Sequence, residues 1–412
     1  MSEGDGENDD AFGFGLFADE LDEAEGQERS KSKMATKKEI DSMCEFIGGL
    51  MNWPILNDDC RQKVVSFLDY KSRFALAICS KSDYELVNKT PLFIYSVDVI
   101  DNDRDHYQYD IEDVENVIVR VQFHHDYNSG KRFELIFLQL DDDTEIRWPK
   151  YVPNKRRELR KTHLKKCNYY EEAVKFAEKW IKKSNFGLSR ITIEMEKYPL
   201  ANSTIKSLPK CKKVRVKHSD ETVLRWWLSK VPEQLDNLEL LSDERDTRGL
   251  SRDFVSLPQI MNTMSFYFWC IADFSDEQFL NLKARKMSFD AVSITDDGIN
   301  EFLKRWIKGK HVDNFTEALL WNTRHYDQAK ILSEIEYRPW DDAFEEESRG
   351  FCEDFRRVCG RGTCFQISSK IDPYASLTLA IYEERVSIQW SGKRQIWKGE
   401  TYTDYSIPRL HL

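Results

Sequence analysis

The chain is organised around residues 52–89, whose sequence is NWPILNDDCRQKVVSFLDYKSRFALAICSKSDYELVNK. Pro54 restricts the backbone at the start of this stretch. Asn57 and the two aspartates after it offer oxygens and negative charge to the free amides that begin a helix. From there apolar side chains recur at helical spacing, at Cys60, Val64, Phe67 and Leu68. A helix is therefore predicted to start near Asn57.

The same stretch predicts two further short helices. The pattern breaks at residues 69–72, and an apolar run then restarts at Phe74, Ala77 and Ile78. Another apolar group follows around Leu86. So few residues enclose too small a core to bury all of this apolar surface. Some of it is therefore expected to face a partner.

The segments WPIL, VVSFLD, SRFAL and CSK, in that order, resemble an F-box of the variant form found in the large nematode F-box families. Trp53 replaces the leucine that precedes proline in the commoner pattern. The resemblance implies docking to the Skp adaptor of an SCF-type cullin ubiquitin ligase. The candidate adaptor-binding residues are Pro54, Ile55, Leu56, Val64, Phe67, Leu68, Leu76 and Ile78. Which of them contact the adaptor and which form the core is left open, as is the alternative of an ordinary three-helix subdomain packed against the rest of the chain.

Composition limits the remaining classes of function. The 412 residues carry a net charge of −11, which disfavours a nucleic-acid-binding role because phosphate neutralisation requires concentrated Lys and Arg. The most apolar stretch, residues 264–272, is about half as long as a membrane span needs to be. The first residues lack the basic and apolar regions of a secretory signal. Neither nucleic acid nor a membrane is therefore expected as a partner.

The nine cysteines are odd in number and mostly scattered, which favours a reducing compartment and hence the cytoplasm or the nucleus. Cys352, Cys359 and Cys364 lack paired spacing and a nearby His, so they are a weak candidate for zinc. The histidines near residues 101–110 are better explained by a solvated acidic turn than by a metal site. No metal or cofactor is expected.

The N-terminal half is predicted to contain four segments, one of which is the F-box. Residues 1–39 form a disordered acidic tail, in which FGFGLF at 12–17 could alternatively be a short binding motif. Residues 40–90 hold the F-box, and residues 91–150 alternate as an antiparallel β meander. The basic stretch 151–167 could be a phosphate-binding surface or an exposed linker, and the absence of interleaved aromatic residues favours the linker.

Residues 168–336 show strand-like runs every 20 to 30 residues or so, separated by helices or loops, as is typical of a stacked array of repeats. We predict a leucine-rich-repeat-like curved array, which makes the whole chain α+β or α/β. Residues 274–320 resemble the type 2 F-box-associated domain that accompanies this F-box variant. Residues 337–412 are predicted to be a β-rich closing segment that begins with an acidic loop over 337–350.

Sequence motifs for catalysis are missing from the chain: it has no phosphate loop, nucleophile elbow, HExxH or CxxC. The leading hypothesis is a non-catalytic, substrate-recruiting subunit, in which the F-box binds the adaptor, and through it a cullin, while the array holds a target protein. The alternative is a repeat protein that binds a partner without any ligase. The sequence does not identify the target, because specificity lies in exposed side chains.

Overall fold

The computed structural model describes residues 53, 55–101, 115–124, 132–150, 158–184, 187–242, 249–310, 313–322, 324–353 and 363–405. The chain divides into two compact units, which are residues 1–94 with 179–187, and residues 95–178 with 188–412. The predicted acidic tail, the FGFGLF motif, Pro54 and Cys359 lie outside the described residues.

The described part of the first unit contains three short helices, α1 (Asp58–Phe67), α2 (Tyr70–Ala77) and α3 (Lys81–Lys89). Their boundaries follow the three apolar runs in the sequence. The apolar core that they share is small, consisting of Val65, Phe74, Ala77 and Leu86. Many of the apolar side chains in the stretch are therefore left outside it.

The second unit begins with five strands that pair in consecutive order. They are β1 (Ile94–Asp101), β2 (Asn116–Gln122), β3 (Arg132–Leu140), β4 (Asp143–Lys150) and β5 (Glu158–Leu164). Each pairs antiparallel with the next. Residues such as Val119, Ile136 and Phe137 are fully or almost fully buried, as their β-branched or aromatic side chains favour.

Part of the predicted linker over 151–167 is a strand, because β5 occupies Glu158–Leu164; residues 151–157 lie outside the described residues. Arg160 and Lys161 lie on this strand at the end of the sheet, and Lys161 and His163 lie close to a single buried carboxylate. Lys161 Nζ lies 3.6 Å and His163 Nε2 3.3 Å from Glu145 Oε2. Charged side chains, Lys in particular, also discourage an edge strand from pairing with another chain.

The long helix α4 (Tyr169–Lys183) precedes six strands that are parallel and consecutive in the sheet. The strands are β6 (Leu188–Glu194), β7 (Lys213–Lys217), β8 (Asn237–Leu241), β9 (Ser265–Ile271), β10 (Lys286–Asp290) and β11 (Glu317–Trp321). The helices after β7 are α5 (Glu221–Leu228), α6 (Arg252–Val255), α7 (Pro258–Met261), α8 (Asp276–Asn281) and α9 (Asp296–Ile307). A single 3-10 turn, Leu200–Asn202, is described between β6 and β7.

Side chains of the parallel strands alternate between a buried face and an open face. The buried face is aromatic at its centre, where the ring centroids of Phe266 and Phe268 lie 4.6 Å apart and those of Phe274 and Phe289 lie 4.8 Å apart. The open face is more polar and half-exposed, and its residues alternate with the buried ones. This period of two is what the strand-like runs in the sequence predict.

The C-terminal segment extends the sheet beyond β11. It contains α10 (Gln328–Ile331), β12 (Arg338–Pro339), α11 (Asp342–Glu347), β13 (Thr363–Ser368), β14 (Ser376–Ile381), β15 (Arg385–Trp397) and β16 (Glu400–Tyr405). The acidic loop predicted over 337–350 is wrong in part, because α11 lies within it. Asp341 caps that helix and Phe344 is fully buried, so three consecutive glutamates do not prevent it from folding.

Together the described strands form one mixed sheet of 16 strands, which with the helices makes the fold α+β. Parallel pairs run from β6 to β11, and antiparallel pairs lie on both sides of them. Within the described parts of the chain, no helix is both long enough and apolar enough to cross a membrane.

Candidate docking surface

Each helix of the first unit begins at a side chain that accepts a hydrogen bond from the backbone. Asn57 Oδ1 accepts from the Cys60 amide at 2.8 Å, and Asp69 Oδ1 accepts from the Ser72 amide at 2.8 Å. Ser80 Oγ accepts from the Asp83 amide at 3.1 Å. These caps explain why three helices of ten residues or fewer are sharply bounded.

Arg73 is a buried cation that joins the ends of these helices. Its guanidinium donates to the carbonyl oxygens of Leu68 at 3.1 Å, Thr90 at 3.1 Å and Ser66 at 3.4 Å. Those carbonyls lie at the C-terminal ends of α1 and α3, where cations are favoured. Burial lowers the pKa of Arg73, and the three carbonyls supply the polar contacts that a buried charge requires.

Trp53 has a defined polar contact in this unit. Its indole N–H donates to Asp83 Oδ1 at 2.6 Å, while the Ser80 hydroxyl donates to Asp83 Oδ2 at 2.7 Å. Asp83 is buried, so these two donors compensate for its removal from water. The leucine of the commoner pattern could not donate this bond. The spacing of Ser80 and Asp83 is a helix-capping signal that could have pointed to this contact.

Five of the eight candidate adaptor-binding residues are exposed. They are Ile55, Leu56, Val64, Phe67 and Ile78, which together we call the docking surface. The exposed fraction is 79% for Ile55, 77% for Phe67 and 65% for Ile78. Large apolar side chains exposed to this degree and grouped in one small unit are typical of an interaction surface.

The other three candidates are placed differently. Leu68 and Leu76 are both half-buried, so each contributes partly to the helical core and partly to the surface. Pro54 lies outside the described residues. Phe93 is 52% exposed and was not among the candidates, because it follows the helical patterns from which they were chosen.

Charges surround the docking surface without covering it. Lys63 Nζ lies 5.2 Å from the centroid of the Phe67 ring, and Arg61 pairs with Asp58 at the start of α1. Such exposed pairs contribute little to stability. The chemistry that this surface offers is therefore apolar contact with a polar rim, which is the usual anatomy of a protein–protein interface.

The described residues offer little that is suited to catalysis. No group of three or more His, Cys, Asp or Glu among them is placed to hold a metal ion. Burial raises the pKa of the Cys211 and Cys270 thiols to about 12, so both are protonated and weakly nucleophilic at neutral pH.

Comparison with known proteins adds to this geometry. A family model described as F-box domain matches residues 53–95, and one described as F-box associated matches residues 256–314. A Caenorhabditis elegans protein described as an uncharacterized F-box protein is 43% identical over 390 residues, which is 94% of this chain and 100% of that protein. No solved structure gives a significant match. Neither matched family model describes an enzyme.

Proposed function

This chain belongs to the F-box protein family, and we propose that it serves as the substrate-recognition subunit of an SCF-type cullin ubiquitin ligase. Its partners would be a Skp-family adaptor, through the adaptor a cullin, and a target protein. The observation that carries the proposal is the docking surface, whose apolar side chains are exposed on a helical unit with a small core.

Within this proposal the docking surface contacts the adaptor. Phe67 and Val64 are three residues apart on α1, so they lie on the same side of that helix. Ile78 directly follows α2, and Ile55 lies three residues before the start of α1. Leu68 and Leu76 would contribute the half-buried margin of the contact. Arg73 and the Trp53–Asp83 hydrogen bond would hold the helices in the geometry that presents these side chains.

The parallel strands β6 to β11 are the proposed platform for the target. Consecutive parallel strands joined by helices or loops support the interpretation of this region as a leucine-rich-repeat-like curved array. The F-box associated match at residues 256–314 falls within it. We place the F-box in residues 40–90, the meander in 91–150, the array in 168–336 and the closing segment in 337–412.

The chemistry of such a subunit is proximity. A target lysine held near a charged ubiquitin-conjugating enzyme reacts faster because its effective concentration rises, and the recruiting chain needs no catalytic residue or cofactor for this. We therefore propose a non-catalytic adaptor. The described cysteines are free, which supports a location in the cytoplasm or the nucleus.

The test is co-expression of the full chain with a nematode Skp-family adaptor. The proposal predicts that the two proteins elute together in a one-to-one complex. Adding the cullin, the ubiquitin-conjugating enzyme and a cell extract should then ubiquitinate proteins that the chain captures. Capture of the same proteins with no recovery of the adaptor would favour the scaffold without a ligase and contradict the proposal.

A further inference from the structure

The open face of the parallel strands carries rows of side chains that run across the sheet. The register places Arg215 of β7 beside Glu239 of β8, and Lys286 of β10 beside Glu317 of β11. Both cations are paired, since Arg215 bonds Glu194 at 2.7 Å and Glu239 at 3.2 Å, while Lys286 lies 3.2 Å from Glu317. The charges in this part of the open face compensate one another.

The carboxyl ends of β9, β10 and β11 are different. Here Ile271, Asp290 and Trp321 are cross-strand neighbours, and Trp269 is two residues before Ile271 on the same open face. We call Trp269, Ile271, Asp290 and Trp321 the acid–tryptophan surface. Tryptophans dominate binding energy at many protein interfaces, whereas most exposed residues contribute little.

Trp269 lies beside an irregularity in the pairing of β9 with β10. Between the pairs Ser288 with Tyr267 and Asp290 with Ile271, β9 has three residues where β10 has one. A bulge of this kind bends a strand and redirects its side chains. Trp269 is 73% exposed and its neighbours Phe268 and Cys270 are buried, as the alternation of β9 requires.

Asp290 is half-buried, and among the described residues its carboxylate has no hydrogen-bond or ion-pair partner. Burial alone raises its pKa. Arg324, three residues after Trp321, and Arg385, the cross-strand partner of Trp321, are engaged elsewhere. Arg324 donates to both carboxylate oxygens of Asp296 at 3.1 Å, and Arg385 lies over the rings of Trp321 at 4.8 Å and Tyr382 at 4.3 Å.

An occupant of this surface has to satisfy the carboxylate as well as the aromatic rings. A purely apolar partner would bury Asp290 without a counter-charge, which is strongly unfavourable. A nucleic-acid strand could stack on the tryptophans, but its phosphates would be repelled by the carboxylate. A lysine or arginine side chain meets both requirements, because its methylene groups pack on apolar surface while its charge remains at the end.

We propose that the acid–tryptophan surface binds a lysine or arginine side chain of the target protein, with the cation on Asp290 and neighbouring apolar residues of the target against Trp269 and Trp321. This inference rests on the proposed role of the array as the target platform. It adds the chemistry of the target segment, which is a basic residue within an apolar stretch. The paired charges elsewhere on the open face explain why recognition is centred here.

The test is selection of short random peptides displayed on phage against the immobilised full chain. The proposal predicts enrichment of Lys or Arg next to a large apolar residue. Asp290→Asn should remove the preference for basic residues, and Asp290→Lys should replace it with a preference for Asp or Glu. Trp269→Ala should lower the affinity for the selected peptides by about tenfold or more. Glu277→Lys, at an exposed acid on α8, is the matched control and should leave the selection unchanged. Circular dichroism and thermal unfolding check that each variant folds.

Several outcomes would overturn the inference. These are enrichment without basic residues, no enrichment at all, and a selection that Asp290→Lys leaves unchanged. A dimer of the chain that Trp269→Ala dissociates in sedimentation would assign the surface to a second copy instead. Recovery of the adaptor is measured on the same preparations. Loss of basic enrichment with the adaptor bound contradicts this inference alone, whereas basic enrichment with no adaptor bound contradicts the ligase assignment alone.

Discussion

Phe67 and Phe289 show how differently the two units use a large apolar side chain. Phe67 on α1 is exposed to solvent, whereas Phe289 on β10 is fully buried among other aromatic rings. The small helical unit cannot enclose its own apolar residues, but the sheet encloses alternate residues of the parallel strands β7 to β11. Exposed apolar surface on the helices therefore indicates a partner, and within the parallel strands the large apolar side chains exposed in this way are Trp269 and Trp321.

Truncating each of the two phenylalanines tests this difference between the units and should give the largest effect. Phe289→Ala removes a buried ring and leaves a cavity, so we expect a loss of about 3–5 kcal/mol in the free energy of unfolding. Phe67→Ala should change it by less than about 0.5 kcal/mol because the side chain is exposed. Urea denaturation of both variants measures the difference. A large loss for Phe67→Ala would show that this residue belongs to a core.

Removing the charge of Arg73 tests what holds the helical unit together. Arg73→Met keeps much of the length of the side chain but leaves the carbonyls of Ser66, Leu68 and Thr90 without these donors. We expect the helical unit to lose about 1–3 kcal/mol. Hydrogen exchange of the α1 and α3 amides reports this unit separately from the sheet. Unchanged protection of both helices would contradict the role given to Arg73.

Trp53→Phe tests the contribution of a single hydrogen bond, from the Trp53 indole to Asp83, to the stability of the same unit. An aromatic ring is retained, but among the described contacts the buried Asp83 carboxylate keeps only the Ser80 hydroxyl as a donor. The expected loss is about 1–2 kcal/mol, and the Asp83→Asn variant should reduce the penalty of losing the indole donor. A double-mutant cycle of the two changes gives the coupling energy. Additive effects would show that Trp53 acts through packing instead.

The smallest effect concerns pH dependence in the meander. Burial raises the pKa of Glu145, but Arg147, Lys161 and His163 outweigh it, so the net pKa lies below its usual value of 4.5. A lowered folded-state pKa contributes stability above the unfolded pKa, and that stability is lost as the pH falls through the folded pKa. The wild type should therefore lose stability as the pH falls below about 4.5, and Glu145→Gln should flatten this slope. Thermal unfolding of both proteins at matched pH values measures this, and an equal dependence of stability on pH in the wild type and Glu145→Gln would refute the prediction.

Much of the fold can be predicted from local patterns. The cap at Asn57 predicts the start of α1 to within a residue, and the strand-like runs over 168–336 predict strands such as β7. The relevant forces act over a few neighbouring residues, which is why they can be inferred from the sequence. The separation of exposed Phe67 from buried Val65 also follows helical spacing.

Long-range pairing was harder to predict. β5 was missed because its basic residues suggest solvent, and only the opposite strand supplies Glu145. The interpretation of 337–350 as a loop ignored how well Phe344 could be buried by elements far along the chain. Similarly, Arg73 and Asp290 appear as ordinary surface charges in the sequence. Their importance depends on three carbonyls in one case and on neighbouring strands in the other.

The most direct test of the central claim is the affinity of the full chain for a purified Skp-family adaptor, measured by calorimetry. We compare the wild type with Phe67→Asp combined with Ile78→Asp, and with the control Ile396→Asp, an exposed apolar residue on β15. The account predicts a loss of about a hundredfold or more for the double variant, with an unchanged circular dichroism spectrum, and no loss for the control. Equal affinity of the wild type and the double variant, or no binding by the wild type, would contradict it.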